Sequence, residues 1–185
     1  MSASTLAILR AARYAAEKHA DQRRKGVRKE PYINHPLEVA ELVASALTAP
    51  DENLVIAALL HDVVEDTDTT FDELARLFGS DVAALVAEVT DDSSLPRLER
   101  KRLQIATAPD KSPRAQVIRL ADKISNLRSI RDSAPADWDE RRKREYFDWG
   151  RTVVAGLSAP NPHLKREFDQ LVRDFEATLA ARQPQ

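Results

Sequence analysis

Apolar residues recur along this chain at three- and four-residue intervals, the spacing of one face of an α-helix. Leu6, Leu9, Ala12, Ala16 and Ala20 trace such a stripe and predict a first helix over residues 5–25. That helix ends in the basic run Gln22-Arg23-Arg24-Lys25, with Gly26 as its C-cap. Taken alone, the run reads equally well as a solvated helix end favoured by the helix dipole. After a loop, Asn34-His35-Pro36 opens a second helix, with Pro36 in the first turn and Leu37, Val39, Ala40, Leu42, Val43 and Leu47 as its apolar face. The third, over 52–66, is apolar nearly all round from Leu54 to Leu60, which predicts a path through the core.

Six more helices follow. Thr70-Phe71-Asp72-Glu73 is a capping box that starts a short helix ending at Phe78-Gly79. Another runs from Ser80 or Asp81 to Val89, and a basic amphipathic one covers 95–108. Ser112-Pro113 caps a long helix over 114–131 with a wide apolar stripe, and helices over 137–157 and from Asn161 or Pro162 onward complete the chain. No stretch reads as a strand. The expectation is an all-α helical bundle forming a single domain over 1–185, with its core at about 5–175 and a frayed tail after Leu179.

Composition narrows the chemistry. The 185 residues contain no cysteine, which excludes disulfides, thiolate metal sites and cysteine nucleophiles. A net charge of −2 gives no global basic field for nucleic acid or an anionic membrane. No apolar run has the length of a membrane span, so a cytoplasmic protein is expected.

Polar residues in apolar surroundings are the candidates for function. His61, Asp62, Glu65 and Asp66 load the end of the buried third helix with ionisable groups, an expensive arrangement unless a cation pairs them. Adjacent residues stand about 100° apart on a helix, so His61 and Asp62 share one ion only if other elements complete its shell. Asp122 sits at the edge of the stripe Val117, Ile118, Leu120, Ala121, Ile124 and Leu127. His35, alone a capping or packed histidine, stands at a helix start from which it can cross a cleft. The set His35, His61, Asp62 and Asp122 is a mixed nitrogen and oxygen site for a six-coordinate ion with water in its open positions. These donors favour manganese, with iron, cobalt and magnesium as the other candidates. Glu65 and Asp66, one turn beyond, are placed to take protons from a water activated there.

These residues carry a resemblance. His35, His61-Asp62 and Asp122 form the H…HD…D pattern of HD-domain metal-dependent phosphohydrolases. The longer strings Tyr32-Ile33-Asn34-His35-Pro36, His61-Asp62-Val63-Val64-Glu65-Asp66-Thr67 and Leu120-Ala121-Asp122-Lys123-Ile124-Ser125-Asn126-Leu127 resemble the hydrolase domain of the Rel/Spo family. Val89-Thr90-Asp91-Asp92 and Leu95-Pro96-Arg97-Leu98-Glu99-Arg100-Lys101 are similar to stand-alone small alarmone hydrolases of the metazoan SpoT-homologue type. The resemblance runs from about Leu6 to Val172 and leaves no room for synthetase or regulatory domains.

It implies an all-α HD bundle, one Mn2+, and hydrolysis of the 3′-pyrophosphate of ppGpp or pppGpp to GDP or GTP plus pyrophosphate. It further implies His35, His61, Asp62 and Asp122 as ligands, Glu65 and Asp66 as the water-handling pair, and Arg24, Lys25 and Asn126 lining the nucleotide pocket. Arg142 and Tyr146 fall where relatives contact substrate. The residues agree with this: Arg24 and Lys25 supply charge for a polyanion, and Tyr146 can stack on a base. His19 and His163 match nothing in the pattern and read as surface or packing histidines. The rival readings are another nucleotide phosphohydrolase, such as a 2′-phosphatase of NADPH, and a nonenzymatic alarmone sensor. A sensor predicts a damaged ligand set or a missing Glu65-Asp66 pair, and neither is seen.

Overall fold

The computed structural model describes residues 3–181. Those residues form ten α-helices and a short 3-10 turn, with no strand among them and one isolated bridge, Arg23 to Pro31. The helices are α1 (Ala3–Lys18), α2 (Asn34–Ala46), α3 (Glu52–Leu60), α4 (Val63–Asp66), α5 (Phe71–Phe78), α6 (Ser80–Val89), α7 (Arg97–Thr107), α8 (Pro113–Ser133), α9 (Glu140–Ala155) and α10 (Pro162–Ala180). The expected fraying after Leu179 concerns mostly residues 182–185, which lie outside the described residues.

Two helices lie at the centre. α3 packs against α1, α2, α6 and α8, and its Leu54, Ile56, Ala57, Ala58, Leu59 and Leu60 are all buried. A fully buried leucine of this kind contributes about 1.5–3 kcal/mol. α8 packs against α2, α6, α9 and α10. Its N-terminus is fixed as the Ser112-Pro113 pair predicts, with the Ala115 amide donating to Ser112 Oγ at 3.2 Å. Asp51 accepts from the Leu54 amide to start α3, and Thr70 from the Glu73 amide to start α5. α9 and α10 are pinned by Phe147 and Phe175, stacked with ring centroids 3.6 Å apart.

The described fold corrects two expectations. The third helix is not continuous over 52–66: it stops at Leu60, turns through His61 and Asp62, and resumes as the single turn of α4. The His61 imidazole donates from Nδ1 to the Ala58 carbonyl at 2.7 Å, taking over one of the acceptors left at the end of α3. The first helix ends at Lys18, not Lys25. Residues 22–32 fold back as a loop instead, with the Arg24 amide bonded to the Glu30 carbonyl at 2.9 Å and the Tyr32 amide to the Gln22 carbonyl at 3.1 Å. Gly26 is therefore no helix cap. It is where this loop meets the end of α8: a Cβ there would lie 1.9 Å from the Ser133 carbonyl oxygen.

Candidate metal centre and nucleotide cleft

The turn at His61-Asp62 brings together what a straight helix would hold apart. Asp62 Oδ2 lies 3.2 Å from His61 Nε2 and 3.4 Å from His35 Nε2. From α8, Asp122 Oδ1 lies 3.4 Å from His35 Nε2 and 3.9 Å from His61 Nε2. His35, His61 and Asp62 form the tightest cluster, with one donor atom from each within 4.8 Å of the others. Asp122 closes the fourth side. Both histidines are buried, and the Asp62 and Asp122 side chains retain only 18% and 10% exposure.

Hydrogen bonds fix both imidazoles so that Nε2 is the bare nitrogen. His61 Nδ1–H is spent on Ala58. His35 Nδ1 lies 2.8 Å from Ser125 Oγ, which itself donates to Glu38 Oε2 at 2.7 Å and so accepts from the ring. His61 Nε2 is consequently a buried lone pair with no hydrogen-bond partner. Two lone pairs facing two carboxylates repel one another unless a cation lies between them, so the donor set fits a divalent metal. The field shows the same demand. Burial works against a charged imidazole at His61, yet Asp62 and Asp122 outweigh it and push His61 up to about 9. Although burial opposes it, the histidines hold Asp62 well below the usual carboxylate range. Lys123, the histidines and their hydrogen bonds do the same for Asp122.

The carboxylates have further supports. Tyr32 donates its hydroxyl to Asp62 Oδ2 at 2.6 Å, and burial with the nearby Asp62 and Asp66 raises that phenol. Asn126 donates to Asp122 Oδ1 at 2.5 Å and accepts from Arg24 at 3.1 Å, so the basic loop is wired to the ligand set through one amide. Lys123 Nζ lies 3.0 Å from Asp122 Oδ2.

Glu65 and Asp66 stand on α4 beside this cluster. Burial, Asp91 and Asp62 push the Glu65 carboxyl up to about 7, while the Asp91 amide, donating to Oε2 at 3.3 Å, pulls the other way; Arg100 lies 2.7 Å from Oε1. Burial and Asp62 also raise Asp66. A carboxyl poised near neutrality beside a cation site is suited to proton transfer.

A cleft of about 850 Å³ opens above the cluster and takes in every candidate ligand, water-handling and substrate-contacting residue named from the sequence. Arg24 and Lys25 stand on the loop rim and Asn126 on α8, while Arg142 and Tyr146 come from α9. Tyr146 is half-buried between Trp138 and Trp149, with centroids at 5.4 and 5.2 Å. Arg142 lies over the Trp138 ring at 4.6 Å and is bonded to Asp137 at 3.1 Å. Sequence reasoning assigned no role to Tyr32, Lys101, Trp138 or Trp149, which also line the cleft. Lys101 and Lys123 place their ammonium groups 4.4 Å from the Trp149 ring centroid. Burial and neighbouring Arg97 and Lys123 bring Lys101 down to about 8. The advance signals for Lys101 are its place in the basic helix over 95–108 and at the end of the string Leu95-Pro96-Arg97-Leu98-Glu99-Arg100-Lys101 that carries the family resemblance, neither of which gives it a role. Of the two unmatched histidines, His163 is exposed and His19 is buried.

The profile of the HD domain matches residues 11–148. A Xenopus tropicalis protein named guanosine-3′,5′-bis(diphosphate) 3′-pyrophosphohydrolase MESH1 is 49% identical over 174 residues, covering 94% of this chain and 97% of its own. Its Homo sapiens counterpart is 46% identical over 179 residues, covering 97% and 100%. The chain belongs to the MESH1 family of HD-domain proteins. A solved structure of a metazoan SpoT orthologue, described as hydrolysing ppGpp, superimposes with a TM-score of 0.87 at 44% identity, covering 94% of this chain and 96% of that one. The all-α architecture is thus that of the MESH1 HD domain. No helix among the described residues is long and apolar enough to cross a membrane.

Proposed function

We propose that this protein is a metal-dependent hydrolase of guanosine 3′,5′-bis(diphosphate), releasing pyrophosphate from the 3′ position to leave GDP, and GTP from the pentaphosphate. The observation that carries the reading is the convergence of His35, His61, Asp62 and Asp122, with a bare buried His61 Nε2, at the floor of a cation-lined cleft. The names of the relatives support the substrate class.

His35, His61, Asp62 and Asp122 would hold the ion, for which manganese is the assignment. When bound, the ion supplies Lewis acidity and makes a coordinated water nucleophilic near neutral pH. The Glu65 carboxylate, poised near neutrality, accepts a proton from the attacking water, and Asp66 orients that water or takes its second proton. Attack at the proximal phosphorus of the 3′-diphosphate breaks its bond to the 3′ oxygen, which leaves protonated from Glu65. Arg24, Lys25 and Arg142 neutralise phosphate charge at the rim, Asn126 reaches the nucleoside beside the metal, and Tyr146 stacks on the base.

The test is product analysis by anion exchange. The protein, stripped and reloaded with manganese, is given ppGpp and NADPH separately. GDP and pyrophosphate from ppGpp, formed only with metal, support the reading. Metal-bound protein that leaves ppGpp intact refutes it, and phosphate from NADPH alone moves the assignment to the 2′-phosphatase.

A further inference from the structure

His19 is buried just beyond the end of α1, outside the ligand set and the cleft lining. One of its two ring nitrogens, Nε2, is buried without a hydrogen-bond partner. A buried lone pair of this kind is costly, and an apolar ring would avoid it. What the histidine supplies is therefore sought at its other nitrogen and its ring face.

Nδ1 lies 2.8 Å from Gln22 Oε1. The orientation of that amide follows from its other end, where Gln22 Nε2 donates to the Asp66 carbonyl at 2.8 Å. Oε1 is thus the acceptor, and His19 Nδ1–H donates to it. The result is a chain from His19 through Gln22 to the backbone of Asp66. The His19 ring also packs on Tyr32, with centroids 4.8 Å apart, and Tyr32 holds Asp62. α4 is a helix of four residues, too short to hold its own geometry, and its last carbonyls lack intrahelical partners. Gln22 satisfies the one that belongs to Asp66.

We infer that His19 is a positioning residue for Asp66, acting through the Gln22 amide. It locks the orientation of Gln22, and Gln22 holds the end of α4 at the distance from the metal cluster that proton transfer requires. Because Gln22 opens the loop that carries Arg24 and Lys25, the same bond sets the water-handling side of the site against the phosphate-binding rim. The inference rests on the role given to Asp66 above.

Amide substitutions separate the two ring nitrogens. Asparagine places its N–H where Nδ1 stands; glutamine places its N–H nearer Nε2. Steady-state ppGpp hydrolysis by manganese-loaded His19→Asn, His19→Gln, Gln22→Glu and Asp66→Asn proteins is measured alongside metal content and amide exchange over 62–69. His19→Gln and Gln22→Glu are expected to lower kcat about tenfold or more, with KM and metal content near the parent values, whereas His19→Asn stays within about threefold. Exchange over 62–69 quickens in the first two and not in the third. Equal loss in both His19 variants, or a parent-like kcat in His19→Gln, overturns the inference. If His19→Gln does not fold, Gln22→Glu at its half-buried position decides alone, a parent-like kcat again overturning it. Asp66→Asn separates the levels: full activity there removes the role of Asp66 itself, while an inactive Asp66→Asn beside parent-like His19→Gln and Gln22→Glu refutes only the positioning by His19.

Discussion

The floor and the rim of the cleft are built in opposite ways. At the floor, His35 comes from the start of α2, His61 and Asp62 from the turn after α3, and Asp122 from the middle of α8, and each is tied down by a second group: Ser125, Ala58, Tyr32 and Asn126. At the rim, Arg24, Lys25, Lys101, Arg142 and Tyr146 come from a folded-back loop and from the outer helices α7 and α9. Their partners are aromatic faces, the Asn126 amide and the exposed Asp137 carboxylate. A metal site needs donor atoms held to a fraction of an ångström, which only packed elements provide. A polyanion needs charge in the right region, which longer and more mobile side chains supply well. The difference predicts that floor substitutions abolish metal and turnover together, and that rim substitutions change substrate affinity alone.

The largest effect is expected from Asp122→Ala or Asp62→Ala. Each removes a ligand, and metal content and ppGpp turnover should fall together, turnover by more than about 10³-fold. An Asp122→Ala protein that turned over at the parent rate would sink the ligand assignment. Next comes Glu65→Gln, which should keep its metal and lose about 10²–10⁴-fold in kcat. The pH profile sharpens this case. Glu65 accepts a proton only when ionised, and its carboxyl stands at about 7, so kcat/KM should rise as pH passes through that value. Arg100 favours the ionised form, so Arg100→Gln should move the rise to higher pH, and Glu65→Gln should abolish it.

Ser125→Ala touches neither substrate nor metal but frees the His35 ring. It should weaken metal binding about 10–100-fold in a chelator competition. At the rim, Arg24→Ala or Lys101→Ala should raise KM about tenfold with unchanged metal content, the cost of one charge-assisted contact. The smallest effect belongs to a surface pair with no part in either region. Arg141 and Glu145, 2.7 Å apart and well exposed, should be replaceable by alanine within about 0.5 kcal/mol of stability, read by denaturant unfolding.

The floor was legible in the sequence because its residues violate their surroundings. A carboxylate at the edge of the stripe around Asp122, or a His-Asp pair at the end of an apolar helix, stands out against helical periodicity. Local caps were legible too: Thr70 and Ser112 set the starts of α5 and α8 as their motifs predict. The break at His61-Asp62 was not, because the apolar period continues through it and the imidazole bond to Ala58 leaves no trace in composition. The end of α1 was misplaced for a related reason. Gln22-Arg23-Arg24-Lys25 suits a helix, and only the tertiary approach of residues 22–32 to Ser133 folds it back. Tyr32 lies thirty positions from Asp62, a pairing that no local pattern announces. Lys101 was half legible: the string that carries the family resemblance contains it, but no local pattern separates it from Arg97, Arg100 and Arg102 as the residue that lies against Trp149.

The most direct test of the central claim is hydrolysis of ppGpp by the manganese-loaded protein in water enriched in heavy oxygen, with the products weighed by mass spectrometry. Attack at the proximal phosphorus, with Glu65 and Asp66 managing the protons, predicts GDP of ordinary mass and pyrophosphate carrying one heavy oxygen. Heavy oxygen in GDP, or unchanged ppGpp in the presence of bound metal, would contradict it.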